Sequence, residues 1–174
     1  MSGHNKWSQI QHKKGVVDKK RGATFSKLLN AVSIAARSGP NPDFNPRLRS
    51  VIEKAKENKV PQENIERAIS KASENKNLEE LTIEAYGPEG SALIIEAITD
   101  SRNRTISEVK HLLSENDAKI AEQGSVLWSF EKAGGKWQAK FPQQISEEGK
   151  QKLQNLVNAL EERDDVQNVI TNSN

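Results

Sequence analysis

Leu81-Thr82-Ile83-Glu84-Ala85-Tyr86, then Gly87-Pro88-Glu89-Gly90, then Ser91-Ala92-Leu93-Ile94-Ile95-Glu96-Ala97-Ile98-Thr99 is the stretch at which the character of the chain changes. Leu81, Ile83 and Ala85 alternate with Thr82, Glu84 and Tyr86, the period of two that belongs to a half-buried strand. The Gly-Pro-Glu-Gly segment reads as a turn and the Leu- and Ile-rich run after it as a second strand, so the whole is expected to be a β-hairpin. Upstream of it the apolar residues keep helical spacing, and downstream strands alternate with helices. An α+β fold follows, with the change falling in the polar stretch 74–80. The expected domains are 1–76, a basic arm and helical bundle, and 77–174, an acidic α/β domain.

Upstream, three segments repeat the i, i+3, i+4, i+7 pattern. Phe25, Leu28, Leu29 and Val32 form the first stripe, which stops at Ser38-Gly39-Pro40. Leu48, Val51, Ile52 and Ala55 form the second, with Asn45 as a cap and Pro46 at the first helical position. Ile65, Ala68, Ile69 and Ala72 form the third, opened by Pro61, with Glu63 near the positive end of the helix dipole. Three such stripes facing inward make a small helical bundle. Ahead of them, residues 1–22 read as an arm. Gly3, Gly15 and Gly22 argue against one long helix, and a partial helix from Ser8 to Lys20 is expected.

Downstream, Ile106, Val109 and Leu113 mark a helix, Val126, Trp128 and Phe130 a strand, and Trp137, Ala139 and Phe141 another after the turn at Gly134-Gly135. Ser146 caps a further helix with Glu147 and Glu148 in its first turn and Leu153, Leu156, Val157 and Leu160 on its core face. Val166 to Thr171 is a last strand. From Ser91 the order is β-α-β-β-α-β, which is ferredoxin-like, an antiparallel sheet with two helices on one face. The strand from Leu81 to Tyr86 is then an extra edge hairpin strand.

A formal net charge of +2 hides an asymmetry. Residues 1–76 hold 16 Lys/Arg and 7 Asp/Glu, a net of +9, whereas residues 77–174 hold 10 and 17, a net of −7. Such a split points to a basic part that meets a polyanion. There is no cysteine, so disulfides and zinc–thiolate sites are excluded. No apolar run reaches a membrane span and the N-terminus lacks an apolar signal core, so the cytoplasm is the expected compartment. His4, His12 and His111 are scattered, no nucleophile elbow, P-loop or dinucleotide glycine pattern occurs, and no carboxylate pair is singled out. The expectation is a non-enzyme with no cofactor and no metal.

The residues that carry chemistry are the cations. Lys6, Lys13, Lys20 and Lys27 recur every seven residues, close to two helical turns, with Lys14, Lys19 and Arg21 beside them. Neutralising phosphates with such a stripe releases counterions and gives salt-sensitive affinity. Trp7 and His12 add flat rings that can stack on exposed bases. A second group, Asp100-Ser101-Arg102-Asn103-Arg104-Thr105, lies between a strand and a helix. It reads either as a phosphate-holding loop through Arg102 and Arg104 or as a polar connection with Ser or Thr as the cap. A partner of nucleic acid is expected, DNA or ribosomal RNA, with a protein adaptor whose basic arm docks on an acidic protein as the alternative.

Gly3-His4-Asn5-Lys6-Trp7, His12-Lys13-Lys14, Lys20-Arg21-Gly22 and Phe25-Ser26-Lys27-Leu28 resemble the opening of the YebC/PmpR family. Asn45-Pro46-Arg47-Leu48-Arg49, Ile65-Glu66-Arg67-Ala68-Ile69, Glu84-Ala85-Tyr86-Gly87-Pro88, Asp100 to Thr105, Gly124-Ser125-Val126 and Asp165-Val166-Gln167-Asn168-Val169 are similar to it as well. The resemblance implies a cytoplasmic DNA-binding transcriptional regulator. Some members, a mitochondrial translational activator among them, act on translation, at the ribosome and on proline-rich stretches. It also implies an N-terminal helical domain followed by two α/β domains, the third inserted within the second. The sequence departs from that pattern after Phe130, where Gly134-Gly135 and a short strand stand in place of the third domain. A monomer is expected, with no membrane and no small-molecule substrate.

Overall fold

The computed structural model describes residues 3–173, with side chains from residue 11 onward. The chain forms two compact units, one up to Asn75 and one from Lys76.

The first unit is three helices: α1 (Gly3–Ala36), α2 (Pro46–Glu57) and α3 (Gln62–Ser70). Leu28, Val32, Ala35 and Ala36 of α1 meet Leu48, Ile52 and Ala55 of α2 and Ile65 of α3 in one core. Asn45 fixes the corner between α1 and α2. Its side-chain oxygen accepts from the Leu48 amide at 3.0 Å, and its amide nitrogen donates to the Ala35 and Gly39 carbonyls, both at 2.8 Å. One buried side chain thus serves a carbonyl in the last turn of α1, a carbonyl in the loop beyond it and an orphan N–H at the start of α2.

The expected glycine-broken arm is corrected: α1 is one helix of 34 residues, about 51 Å long at 1.5 Å per residue. Each glycine costs about 1 kcal/mol relative to alanine, but that cost is local. Once Phe25 to Ala36 is held by the core, extension toward the N-terminus adds one hydrogen bond per residue with no new nucleus. Gly15 and Gly22 sit in open space, with nothing within 4 Å of where a Cβ would be.

The second unit is α+β. Strands β1 (Glu79–Tyr86), β2 (Ala92–Thr99), β3 (Lys119–Ile120) and β6 (Val166–Thr171) form one antiparallel sheet in the order β3-β1-β2-β6. Helices α4 (Arg102–Glu115) and α5 (Glu147–Glu161) cover one face, through Val109, Leu113, Leu153, Leu156 and Leu160 against Leu81, Ile83, Leu93, Ile95 and Val166. Strands β4 (Phe130–Ala133) and β5 (Lys136–Ala139) pair only with each other. Phe130, with Trp137 alongside, packs against Ala92, Ile94 and Ile170, residues that point away from the helices.

Two placements differ from the ferredoxin-like reading, although the α+β class and the pair of helices on an antiparallel sheet stand. The strand from Leu81 to Tyr86 is interior, because Ala85 and Tyr86 pair with Ile120 and Lys119 on its far side. The stretch around Val126 and Trp128 is a turn of 3-10 helix, Leu127–Ser129, and not a strand. The cause is Glu84. Its buried carboxylate accepts from the amides of Gly124 (2.5 Å), Val126 (2.8 Å) and Leu127 (3.0 Å), so those N–H groups are spent on a side chain and not on a ladder.

The turn between β1 and β2 is equally constrained. A Cβ at Gly87 would lie 2.6 Å from Leu93 Cδ1. Glu89 takes a left-handed φ of 55°. Its carboxylate accepts from the Ser146 amide at 3.0 Å and from the Ser146 hydroxyl. The turn and the start of α5 are therefore held by one side chain.

Candidate nucleic-acid interface

The exposed part of α1 carries most of the expected site. His12, Lys13, Lys14, Lys19, Lys20 and Arg21 are all exposed, and Lys27 is half-buried where α1 enters the core. Because the helix is continuous, Lys13, Lys20 and Lys27 fall along one side, about 10 Å apart at two turns each, with Lys14 and Arg21 on the adjoining face. Asp18 is the one acid between Gln11 and Lys27. The Arg21 guanidinium lies 5.3 Å from the Phe25 ring centre, one turn on, a contact that orients it without neutralising it. Val16 and Val17 are exposed among these cations. The side chains of Lys6 and Trp7 fall outside the described residues.

The bundle adds a groove of about 300 Å³ between α1 and α3, lined by Asn30, Ser33, Asn64, Arg67, Lys71 and Asn75. Leu29 and Ala68 lie in its wall as well, so its surface is mainly apolar, and it bears two cations, Arg67 and Lys71. Arg67 is paired with Glu63 at 2.8 Å on an exposed helix face, a contact of small net strength in water.

The loop of Arg102 and Arg104 has a different character. Arg104 Nη2 donates to Asp165 and Asp100, each at 2.9 Å, which holds its proton more firmly than in free arginine, first through the Asp165 hydrogen bond. Thr105 donates to the same Asp165 oxygen at 2.6 Å, and the Ser101 amide donates to the Thr99 hydroxyl at 2.9 Å. Ser101 occupies the N-cap position of α4 without a side-chain cap bond, so the start of α4 is held by Thr99, Thr105 and Asp165. Arg102 lies 3.5 Å from Glu79, both side chains about half exposed. The structure brings Arg104 to two carboxylates, the arrangement of a strand-to-helix junction.

That junction has a pH signature. Partial burial alone would raise the Asp165 carboxyl, but hydrogen bonds from Arg104 and Thr105 outweigh it and hold the group below its ordinary value of 3.8. A folded-state pKa below the unfolded one contributes stability above the unfolded value and loses it as pH falls through the folded value. Chemical denaturation should therefore give Asp165→Asn a deficit that is constant from pH 8 to pH 5 and shrinks below about pH 4, where the parent also becomes protonated. A deficit that stays constant down to pH 2 would contradict this.

One basic stretch lies outside the residues expected from sequence. Lys132, Lys136 and Lys140 follow one another every four residues along the β4–β5 hairpin, all exposed, with Glu131 as the one acid from Leu127 to Phe141. Three lysines around Trp137 in an otherwise acidic half are a weak signal until Trp128 and Phe141 are seen on the surface. Among the described residues no group of three His, Cys, Asp or Glu is placed to hold a metal ion, and no helix is long and apolar enough to cross a membrane.

Known proteins share this architecture. A crystal structure of a conserved hypothetical protein from Aquifex aeolicus superposes with a TM-score of 0.82 at 35% identity, covering 91% of this chain and 92% of that one. A "probable transcriptional regulatory protein" of Desulfosudis oleivorans is 50% identical over 138 residues, 77% of this chain and 56% of its own length. One of the same name from Fervidobacterium nodosum is 50% identical over 138 residues, 77% of this chain and 55% of its own. The chain thus spans about half the length of the curated relatives it matches, and their names are those of regulators, not of enzymes. Residues 5–75 match the TACO1/YebC protein N-terminal domain and residues 78–135 match the TACO1/YebC second and third domain. That second match stops at the tip of the β4–β5 hairpin, while α5 and β6 complete the sheet beyond it. With both units matched and the whole fold shared, the chain belongs to the TACO1/YebC family.

Proposed function

We propose that the chain is a non-enzymatic, nucleic-acid-binding regulator of gene expression that grips a phosphate backbone with the exposed face of α1. The observation that carries this reading is the continuity of α1: five exposed cations between Lys13 and Arg21, against Asp18 alone, stand on a single helical rod. The helical bundle supports it with the Arg67 and Lys71 groove. Arg102 adds an exposed cation, whereas Arg104 serves the fold first, through Asp165. The expected partners are DNA, for transcription, or ribosomal RNA, for translation at the ribosome and through proline-rich stretches. Phosphate contacts carry no base information, so cations alone suit both. A cytoplasmic monomer belongs to the same proposal.

Salt tests it. If Lys13, Lys14, Lys20 and Arg21 each neutralise one phosphate, log K should fall against log salt with a slope of about −3.6 on duplex DNA. Affinity should then drop on the order of 150-fold between 50 and 200 mM salt. Fluorescence anisotropy with a labelled duplex and a labelled RNA hairpin measures this, and a slope near zero on both would overturn the proposal. Crosslinking in cells then identifies the bound partner: ribosomal RNA assigns the protein to translation, promoter DNA to transcription.

A further inference from the structure

The β4–β5 hairpin places aromatic rings and cations together on a surface that α1 does not supply. Trp128 is 65% exposed and Phe141 50% exposed, high values for large apolar side chains. Their ring centres are 5.6 Å apart at 43°, an ordinary tilted aromatic pair. The backbone fixes both. Trp128 Nε1 donates to the Ser125 carbonyl at 2.8 Å, and the Phe141 amide donates to the Ser129 carbonyl at 3.2 Å. Ser125 is itself set by the amides around it that bind the buried Glu84. The Trp128 ring is thus tied by its own nitrogen, and the Phe141 ring, on a hydrogen-bonded backbone, packs against it.

The charge around them is as specific. Residues 77–174 carry a net of −7, yet Lys132, Lys136 and Lys140 stand together against Glu131 between Leu127 and Phe141. Lys132 Nζ lies 4.6 Å from the Trp137 ring centre and Lys140 Nζ 5.5 Å from that of Phe141. The Glu96 carboxylate also reaches the hairpin, where it accepts from Trp137 Nε1 at 3.1 Å and from the Asn168 side-chain amide at 3.0 Å, so three lysines stand against Glu131 and Glu96, a net positive group inside an acidic unit. Cations interleaved with exposed flat rings match a chain of flat bases joined by phosphates. An acidic peptide would use the lysines and leave the rings idle, and an apolar partner would leave the lysines unpaired. Duplex DNA hides its base faces, while RNA loops and ends present them unstacked.

We propose that Trp128 and Phe141 stack unpaired bases of single-stranded RNA while Lys132, Lys136 and Lys140 hold the phosphates beside them. The site is distinct from α1, so its test is run in the full chain carrying Lys13→Glu, Lys14→Glu, Lys20→Glu and Arg21→Glu, where α1 contributes no attraction. In that background, at 50 mM salt, labelled rU12 should still bind, and a 12-base-pair duplex should bind at least tenfold more weakly. Adding Trp128→Ala with Phe141→Ala should weaken rU12 binding by about tenfold or more. Lys132→Glu with Lys136→Glu and Lys140→Glu, which replace exposed residues and remove no ring and no core side chain, should do the same and flatten the salt dependence. No rU12 binding in the α1-reversed background, equal binding of the duplex, tighter binding of dT12 than of rU12, or rU12 affinity unmoved by both sets of hairpin variants would each overturn the proposal. The α1 reading is judged separately, by the salt slope of the parent chain on duplex DNA and the RNA hairpin.

Discussion

Replacing Lys13, Lys14, Lys20 and Arg21 by glutamate is expected to abolish duplex binding by the parent chain while leaving its fold unchanged. All four side chains are exposed, and none belongs to the core of the first unit. The substitutions bring residues 1–76 from a net of +9 to about +1, which removes the long-range attraction as well as the contacts. Four phosphate contacts at 0.15 M salt correspond to about a thousandfold in affinity through counterion release alone, and four carboxylates facing phosphates add repulsion. Glutamate has good helix propensity, so α1 should persist. The measurement pairs anisotropy on duplex DNA with circular dichroism of the variant. Affinity within threefold of the parent, with helicity retained, would show that the exposed face of α1 is not where nucleic acid binds.

The largest effect on stability is expected at Glu84. Its carboxylate is buried and accepts from three backbone amides, those of Gly124, Val126 and Leu127. Glu84→Ala would strand these donors beneath the hairpin, and each unsatisfied buried donor costs on the order of 1–3 kcal/mol. With relaxation and water entry, a net loss of about 3 kcal/mol is expected for the second unit. For a domain of that size this lowers the melting temperature by more than about 10 °C. Glu84→Gln should fall between, since one amide oxygen can keep part of the set while its NH2 faces a donor. Thermal melts followed by circular dichroism provide the measurement, and an alanine variant melting within 2 °C of the parent would show that these bonds carry no net stability.

The elements legible in sequence are those whose signals are local. Asn45 and Pro46 announce α2, Ser146 announces α5 by accepting from Gly149 at 3.0 Å, and the alternation on both sides of Gly87 announces β1 and β2. The continuity of α1 was hidden because a glycine penalty is read residue by residue, whereas helix extension is cooperative. The fate of Val126 to Ser129 was hidden for another reason. Val126 and Trp128 alternate like a strand, but a carboxylate 42 residues before Val126 takes its amide. The interior position of β1 depends on a partner of only two residues, too short to carry a pattern. In the candidate interface, the cations of α1 were visible from composition and spacing. The engagement of Arg104 was not, because Asp165 stands 61 residues away and no local pattern links the two.

The separation of β4 and β5 from the four-stranded sheet has a consequence for how this fold tolerates change in length. The sheet is completed by β6 pairing with β2, and no hydrogen bond of that ladder passes through the hairpin. Gly134 and Gly135 form its tip, both at positive φ and with open space around them. Chain added at such a point meets only the slow logarithmic growth of loop entropy, about 0.6 kcal/mol for each doubling, and shifts no strand register. The tip is therefore a socket: flexible chain added there leaves the β2–β6 pairing that closes the sheet beneath it in the same register.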